Sequence, residues 1–255
     1  MATIDIDGVS THYDEEGEGD PLVLLHGGLS DSSAWGMQTP AFTASYRVFA
    51  PDRRGHGRTH DTDAAYTYEA MAAETITFLE QVVGGSAHLV GWSDGGDVAL
   101  LVAAARPDLV RRMVVIGANF HHDGVVHSAG LGEDPDSSDL DLFRSMHDAL
   151  TPGGPEHWPV FFRRTAQLWR EGPTMTVEDL AAIDVPTLVL AGDDDAIRFD
   201  HTCSLYEALP ASQLAIVPGA SHFVLMEKPD LANRLVLDFL AETEPPATLF
   251  PLRRA

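Results

Sequence analysis

Cysteine is almost absent from this chain: Cys203 stands alone among 255 residues. No intrachain disulfide can form, and a single thiol with no CxxC or Cys/His pattern around it fits a reducing compartment, so a cytoplasmic location is expected. Lysine is as scarce, with Lys228 the sole example, and 16 basic residues face 39 acidic ones for a formal net charge of −23. Such a balance leaves no area for a basic nucleic-acid surface and opposes approach to anionic membranes. Long hydrophobic runs are missing too. None nears the roughly 20 residues that cross a bilayer, and the start, MATIDIDGVS, lacks the basic and apolar segments of a signal peptide. There is no GxGxxG and no P-loop, so no nucleotide cofactor is expected. Fixed-period repeats and low-complexity stretches are also lacking. These shortages leave a small molecule as the expected partner of a monomer or homodimer.

What is present is a rhythm. At 44% hydrophobic the chain can bury a sizeable core. Two short strand-like segments, ATIDI and VSTHYDEE, come first. Continuous apolar runs that stop at glycine or aspartate then recur: PLVLLHGG, YRVFAPD, AHLVGWS, RRMVVIGAN, PTLVLAGDD and SQLAIVPGA. Runs of that kind are expected of strands buried on both faces. Helix-like stretches at 68–83, 94–106, 200–209 and 229–241 lie between them. Strands alternating with helices predict an α/β fold with a mostly parallel sheet covered on both sides. Residues 121–182 break the rhythm with a polar loop and helical pieces, DLDLFRSMHDAL and HWPVFFRRTAQLWR. An insertion of that length is not expected to be bare loop. The division read from the sequence is therefore a core of residues 1–120 and 183–255, with a helical cap over 121–182 inserted after the sixth strand. The tail PPATLFPLRRA is expected to be extended, docked by Leu249 and Phe250 or loose.

The chemistry is expected at Gly91-Trp92-Ser93-Asp94-Gly95, a G-x-S-x-G segment between an apolar strand and an Ala/Val/Leu-rich helix. A sharp strand-to-helix turn would hold Ser93 in a strained conformation, and side chains at Gly91 and Gly95 would clash there. The serine oxygen would then stand above the carboxyl edge of the sheet, near a helix amino terminus that favours developing negative charge. Late in the chain, LVLAGDDDAI supplies Asp193, Asp194 and Asp195, and VPGASHFVLMEKPD supplies His222. A serine hydroxyl needs a base to take its proton, and the base needs a carboxylate to fix its tautomer. The order Ser, Asp, His agrees with that need in this type of fold.

These segments, with LLHGG and APDRRGHGRT, resemble the α/β-hydrolase-fold serine hydrolases over nearly the whole chain. GWSDGGDVALLVAAARPDLVRRMVVIGAN is most similar to the branch that contains valacyclovir hydrolase, the biphenyl hydrolase-like branch. The resemblance implies Ser93 as nucleophile, His222 as general base and Asp195, three residues past Gly192, as the acid. An alternative acid position after the sixth strand falls on Asn119, which carries no charge. The resemblance also implies an oxyanion hole from the backbone N–H groups of Gly28 and Asp94, with Leu29 as a neighbour if the loop register shifts by one. His26 would brace that loop, and Arg53, Arg54, His56 and Arg58 would belong to a structural family element. Substrate contacts are expected from Trp158, Phe161 and Trp169, with cap core as the alternative for these and Phe162, and from Asp94, whose carboxylate would meet an α-ammonium or else only complement the helix dipole. The implied reaction is cofactor-independent hydrolysis of an ester, lactone or activated amide. C–C bond hydrolysis, perhydrolysis and a small-molecule receptor are the alternatives, while Ser93 argues against the branches that use an aspartate nucleophile. His121, His122 and His127 cluster without a carboxylate or cysteine at ligand spacing, so no metal is expected.

Overall fold

A computed structural model describes residues 2–126, 134–243 and 248–249. Eight strands form one sheet: β1 (Ala2–Ile6), β2 (Val9–Glu16), β3 (Asp20–Leu25), β4 (Tyr46–Pro51), β5 (Ala87–Trp92), β6 (Val110–Ile116), β7 (Thr187–Asp194) and β8 (Ser212–Ser221). Their order is β1-β2-β4-β3-β5-β6-β7-β8. The first two pairings, β1 with β2 and β2 with β4, are antiparallel; the rest of the sheet is parallel. The helices are α1 (Thr39–Phe42), α2 (Tyr68–Phe78), α3 (Asp94–Ala105), α4 (Asp141–Leu150), α5 (Trp158–Glu171), α6 (Val177–Ala181), α7 (Phe199–Ala208), α8 (Val224–Glu227) and α9 (Pro229–Leu240).

The continuous apolar runs are explained by burial of both sheet faces. On β3, Val23 and Leu25 join a core with Met71 and Phe78 of α2 and Val98 and Leu100 of α3. Leu22 and Leu24, one residue out of phase, join the opposite core with Phe42, Leu225, Val236 and Phe239. Strand alternation thus sends every residue of such a run into one of two cores. Each fully buried leucine contributes about 1.5–3 kcal/mol.

The predicted helix over 68–83 is split. It runs as an α-helix to Phe78 and closes with a π turn over Leu79–Val83, where Gly84 in the left-handed region (φ +81°) donates its N–H to the Leu79 carbonyl at 2.9 Å. Between β6 and β7 lie α4, α5 and α6, joined by short 3-10 turns and loops. Isolated bridges join His121 to Thr174 within this segment and Val125 to Ile197 in the loop after β7. The docking of the tail is corrected in part: Leu249 is fully exposed, and Phe250 lies outside the described residues. Among the described residues no helix is long and apolar enough to cross a membrane.

Candidate active site

Ser93 occupies the turn between β5 and α3 with φ +54° and ψ −126°. A non-glycine residue there carries strain of about 1–3 kcal/mol, which the surroundings must hold. Its N–H donates to the Ile116 carbonyl of β6 at 2.8 Å, and its carbonyl accepts from Gly96 N–H at 2.7 Å. The three neighbouring glycines have separate reasons. A Cβ on Gly91 would lie 2.2 Å from the Gly95 carbonyl oxygen, and one on Gly95 only 1.9 Å from that of Leu25. One on Gly96 would meet the Ala118 side chain at 2.6 Å.

The loops after β7 and β8 bring two further groups to this turn. His222 Nε2 lies 3.0 Å from Ser93 Oγ, and Nδ1 lies 2.7 Å from Asp195 Oδ1. An ionised carboxylate only accepts, so Nδ1 carries the hydrogen and Nε2 is left to accept from the serine hydroxyl. The Asp195 side chain is 3% exposed, and Oδ1 also accepts from Ile197 N–H at 3.0 Å. Its two neighbours point elsewhere. Asp193 accepts from Gly219 N–H at 2.7 Å and ties β7 to β8, while Asp194 is exposed at the strand end opposite Ser221. Gly117 was not anticipated. With φ +55°, it sits where a Cβ would meet His222 Nδ1 at 2.9 Å and Asp195 Oδ2 at 3.2 Å. Its only sign in the sequence is that it ends the run VVIG at the same sheet edge.

Above the serine runs the loop after β3. A Cβ on Gly27 would lie 3.3 Å from that of Ser93, and one on Gly28 would meet Asp94 Oδ2 at 2.6 Å and Trp169 Cζ2 at 2.7 Å. Leu29 follows with φ +51° and a buried side chain. Asp94, the first residue of α3, has an N–H with no acceptor within its own helix. His26 Nε2 accepts from Arg53 N–H at 3.1 Å, which leaves the hydrogen on Nδ1, donated to the Gly27 carbonyl at 2.8 Å. Burial, and then the Arg53 charge, hold this imidazole neutral by pushing its pKa well below the usual histidine range.

The Asp94 carboxylate is buried and already engaged. It accepts from the Tyr68 hydroxyl at 3.1 Å and from the Trp169 indole N–H, which is shared between both oxygens at 3.0 and 3.1 Å. Burial raises its pKa; Arg53 and the two donors oppose that rise. Asp97, one turn further along α3, accepts from Asn119 N–H at 2.8 Å. Burial and then the Asp94 charge push the Asp97 carboxyl well above the usual range. Asn119 is therefore a partner of Asp97, with its side-chain Nδ2 on the His121 carbonyl at 3.1 Å.

Two expected substrate contacts are corrected. Trp158 is fully buried, donates its indole N–H to the Pro135 carbonyl at 2.8 Å and stacks on Phe162. Phe161 is also buried, with its ring against those of His56 and His147. Both side chains are consumed by packing, Trp158 within residues 121–182 and Phe161 also against His56 and Tyr66 of the loop after β4; of the three aromatic residues expected at the site, Trp169 is the one placed beside Asp94. The histidine cluster is corrected as well. The Asp123 carboxylate comes within 3.5 Å of His121 Nδ1 and 3.3 Å of His122 Nδ1, so a carboxylate does stand beside the pair, whereas His127 lies outside the described residues. His121 Nδ1 already accepts from Asp123 N–H at 3.2 Å.

A mostly parallel sheet with a serine on a strained turn at its carboxyl edge defines the α/β-hydrolase fold. Residues 22–235 match the model of the alpha/beta hydrolase family, and the chain belongs to that family. Among its relatives is the 2-hydroxymuconate semialdehyde hydrolase of a Pseudomonas species (strain CF600), 28% identical over 93% of this chain and 92% of the relative. Serine hydrolase BPHL of Homo sapiens is likewise 28% identical, over 94% and 86% of the two chains. The solved structure of a meta-cleavage product hydrolase from Pseudomonas fluorescens superposes with a TM-score of 0.81 at 26% identity, covering 96% of this chain and 98% of that one.

Proposed function

We propose that this chain is a cofactor-independent serine hydrolase that cleaves a small-molecule ester, lactone or activated amide through an acyl-enzyme. The observation that carries the reading is the line from Ser93 through His222 to Asp195, with contacts of 3.0 and 2.7 Å. Ser93 Oγ attacks the carbonyl carbon while His222 Nε2 takes the hydroxyl proton, and Asp195 stabilises the imidazolium that forms. The carbonyl oxygen becomes an oxyanion held by the N–H groups of Gly28 and Asp94. Collapse breaks the bond to the leaving oxygen or nitrogen, which receives the proton from Nε2. Water then attacks the acyl-serine by the same proton route and releases the acid.

In this reading residues 121–182 form a cap over the site. Support comes from the Trp169 bond to Asp94, and from His157 Nε2 and Arg164 on the Asp61 carboxylate of the loop after β4, both at 2.8 Å. The acyl group is read as neutral or cationic, with α-amino esters favoured as the resemblance of the nucleophile segment to the valacyclovir hydrolase branch suggests. A carboxylate buried beside Ser93 and a net charge of −23 both disfavour an anionic substrate. C–C bond hydrolysis by the same residues is the second reading, favoured by the likeness to the 2-hydroxymuconate semialdehyde hydrolase. A panel of p-nitrophenyl esters, lactones, aminoacyl esters and a vinylogous 1,5-diketone, with Ser93→Ala as control, tests the two together. Ester or lactone turnover that vanishes in Ser93→Ala is expected. Turnover of the diketone alone would replace the first reading with the second, and activity that survives Ser93→Ala would remove both.

A further inference from the structure

The Gly27 carbonyl receives two donors from the protein interior. One is the His26 Nδ1–H at 2.8 Å, the other the Arg53 guanidinium at 2.9 Å. Neither group reaches Ser93 in this arrangement. His26 is fully buried and Arg53 is 5% exposed. Arg53 is also tied to His26 directly, its own backbone N–H donating to His26 Nε2 at 3.1 Å. Arginine, histidine and carbonyl therefore form a closed unit with one degree of freedom removed at each contact.

The consequence lies on the other side of the peptide. Among the described residues the only cis peptide bond is Gly172-Pro173, so the bond from Gly27 to Gly28 is trans. In a trans peptide the N–H points opposite to the preceding carbonyl. A Gly27 carbonyl turned inwards to Arg53 and His26 turns the Gly28 N–H outwards, on the side where the loop packs against Ser93 and Asp94. A cationic donor on the carbonyl oxygen also polarises the amide and strengthens its N–H as a donor. Leu29, the next residue, lies in the left-handed region at φ +51° with its side chain buried.

We propose that Arg53 is a positioning residue for the oxyanion hole: its guanidinium, with the His26 ring, grips the Gly27 carbonyl and thereby aims and polarises the Gly28 N–H. The proposal rests on the serine-hydrolase reading above. Arg53 also bears on Asp94, whose carboxylate lies beside Gly28 and would repel an oxyanion; the guanidinium charge counters it. The sequence places Arg53 in the segment APDRRGHGRT, where it reads as one of four basic side chains with no separate task. The structure gives it a partner in the loop that faces the nucleophile.

The test compares wild type, Arg53→Met, Arg53→Gln and Arg53→Lys in the full chain, with active sites titrated by a fluorophosphonate so that unfolded protein is not counted. Removing an oxyanion-hole donor outright costs about 100- to 1000-fold in kcat. Here the donor stays but is unpinned, so Arg53→Met is expected to lose about 10- to 100-fold in kcat at a nearly unchanged KM. Affinity for a trifluoromethyl ketone, which adds to serine as an oxyanion, should fall by the same factor, and Arg53→Lys should recover part of both losses. Should Arg53→Met not fold, Arg53→Gln, which is shorter and uncharged, should show coupled losses of kcat and ketone affinity larger than those of Arg53→Lys. A variant with lowered melting temperature but wild-type kcat and ketone affinity per titrated site would overturn the proposal. Loss of all variants' activity together with wild-type rates in Ser93→Ala would instead remove the reading on which it rests.

Discussion

The Trp92 indole N–H donates to the backbone carbonyl of His222 at 2.9 Å, so the strand that ends in the serine also holds the loop that carries the histidine. The two rings lie 5.9 Å apart, and Phe223 packs edge-on against the indole at 5.7 Å. Replacing Trp92 with Phe keeps an aromatic ring and removes the donor. A hydrogen bond of this kind is worth about 0.5–1.5 kcal/mol. The expected result is a kcat lower by about 2- to 13-fold with KM little changed, and a slower fluorophosphonate reaction at Ser93. An unchanged kcat would mean that the packing of Phe223 alone positions the histidine loop.

The run of three aspartates separates into three tasks. Asp195→Asn should lower kcat by about 10,000-fold, since the imidazole loses both its orientation and its counter-charge. Asp194→Asn should leave kcat within about threefold of wild type, being exposed at the strand end. Asp193→Asn should lower the melting temperature more than the rate, because its carboxylate bridges β7 to the β8 turn through Gly219 and Ala220. Kinetics and thermal unfolding of the three variants decide the assignment. A severe rate loss in Asp194→Asn would move the acid by one residue.

The parallel sheet was legible because both of its faces are buried, which leaves unbroken apolar runs in the sequence. The serine turn was legible because its glycines answer steric contacts below 2.7 Å. Other features depend on contacts that no local pattern encodes. Gly117 looks like any strand-ending glycine until the loops after β7 and β8 are folded over it. Arg53 and His26 are 27 positions apart in sequence and meet only through the parallel pairing of β3 with β4. Trp158, Phe161 and Trp169 share one helix, and composition cannot tell which side of α5 packs inwards. Of the acid pair on α3, Asp94 is marked in the sequence by its place beside the serine, whereas no local pattern marks Asp97.

His201 gives a test of how buried histidines set acid stability. Its ring stacks on Phe120 with centroids 4.0 Å apart, and Nε2 accepts from the Phe120 N–H at 3.2 Å. Burial, followed by the charge of Arg198, lowers its pKa from 6.5 to about 4; Asp200 and Asp123 oppose this, and His121 adds to it. Because the folded pKa is the lower one, its stabilising contribution is complete above pH 6.5 and is lost as the pH falls towards about 4. Asp52, Asp94 and Asp97, raised by burial, act with the opposite sign, so the comparison must be between variants. His201→Gln keeps an acceptor near the Phe120 N–H and cannot titrate. Urea midpoints between pH 7 and pH 4.5 should fall less steeply in this variant than in wild type. The difference is at most about 1.4 kcal/mol per pH unit, reduced by solvent screening. Parallel slopes would mean that the stack opens before the ring takes its proton.

A preference for amines can be tested at Asp94. A carboxylate offers about four lone-pair sites, and here two donors occupy it, Tyr68 and a Trp169 N–H divided between both oxygens. Lone-pair capacity remains for a third donor, and an ammonium brought beside the attacked carbonyl would form a charge-assisted bond. The prediction is that an α-aminoacyl ester is hydrolysed faster than its des-amino analogue, and that Asp94→Asn removes the difference while neutral esters keep their rates. Trp169 sharpens the test, because its indole competes for the same oxygens and its side chain is only partly buried. Trp169→Phe should free the carboxylate and lower KM for the aminoacyl ester but not for the des-amino one. Acidification should act like Asp94→Asn, since the raised carboxyl pKa brings protonation of Asp94 to a higher pH than for an exposed aspartate. Equal wild-type rates for the two esters, with no response to Trp169→Phe, would confine the Asp94 carboxylate to holding Tyr68 and Trp169 against the first turn of α3.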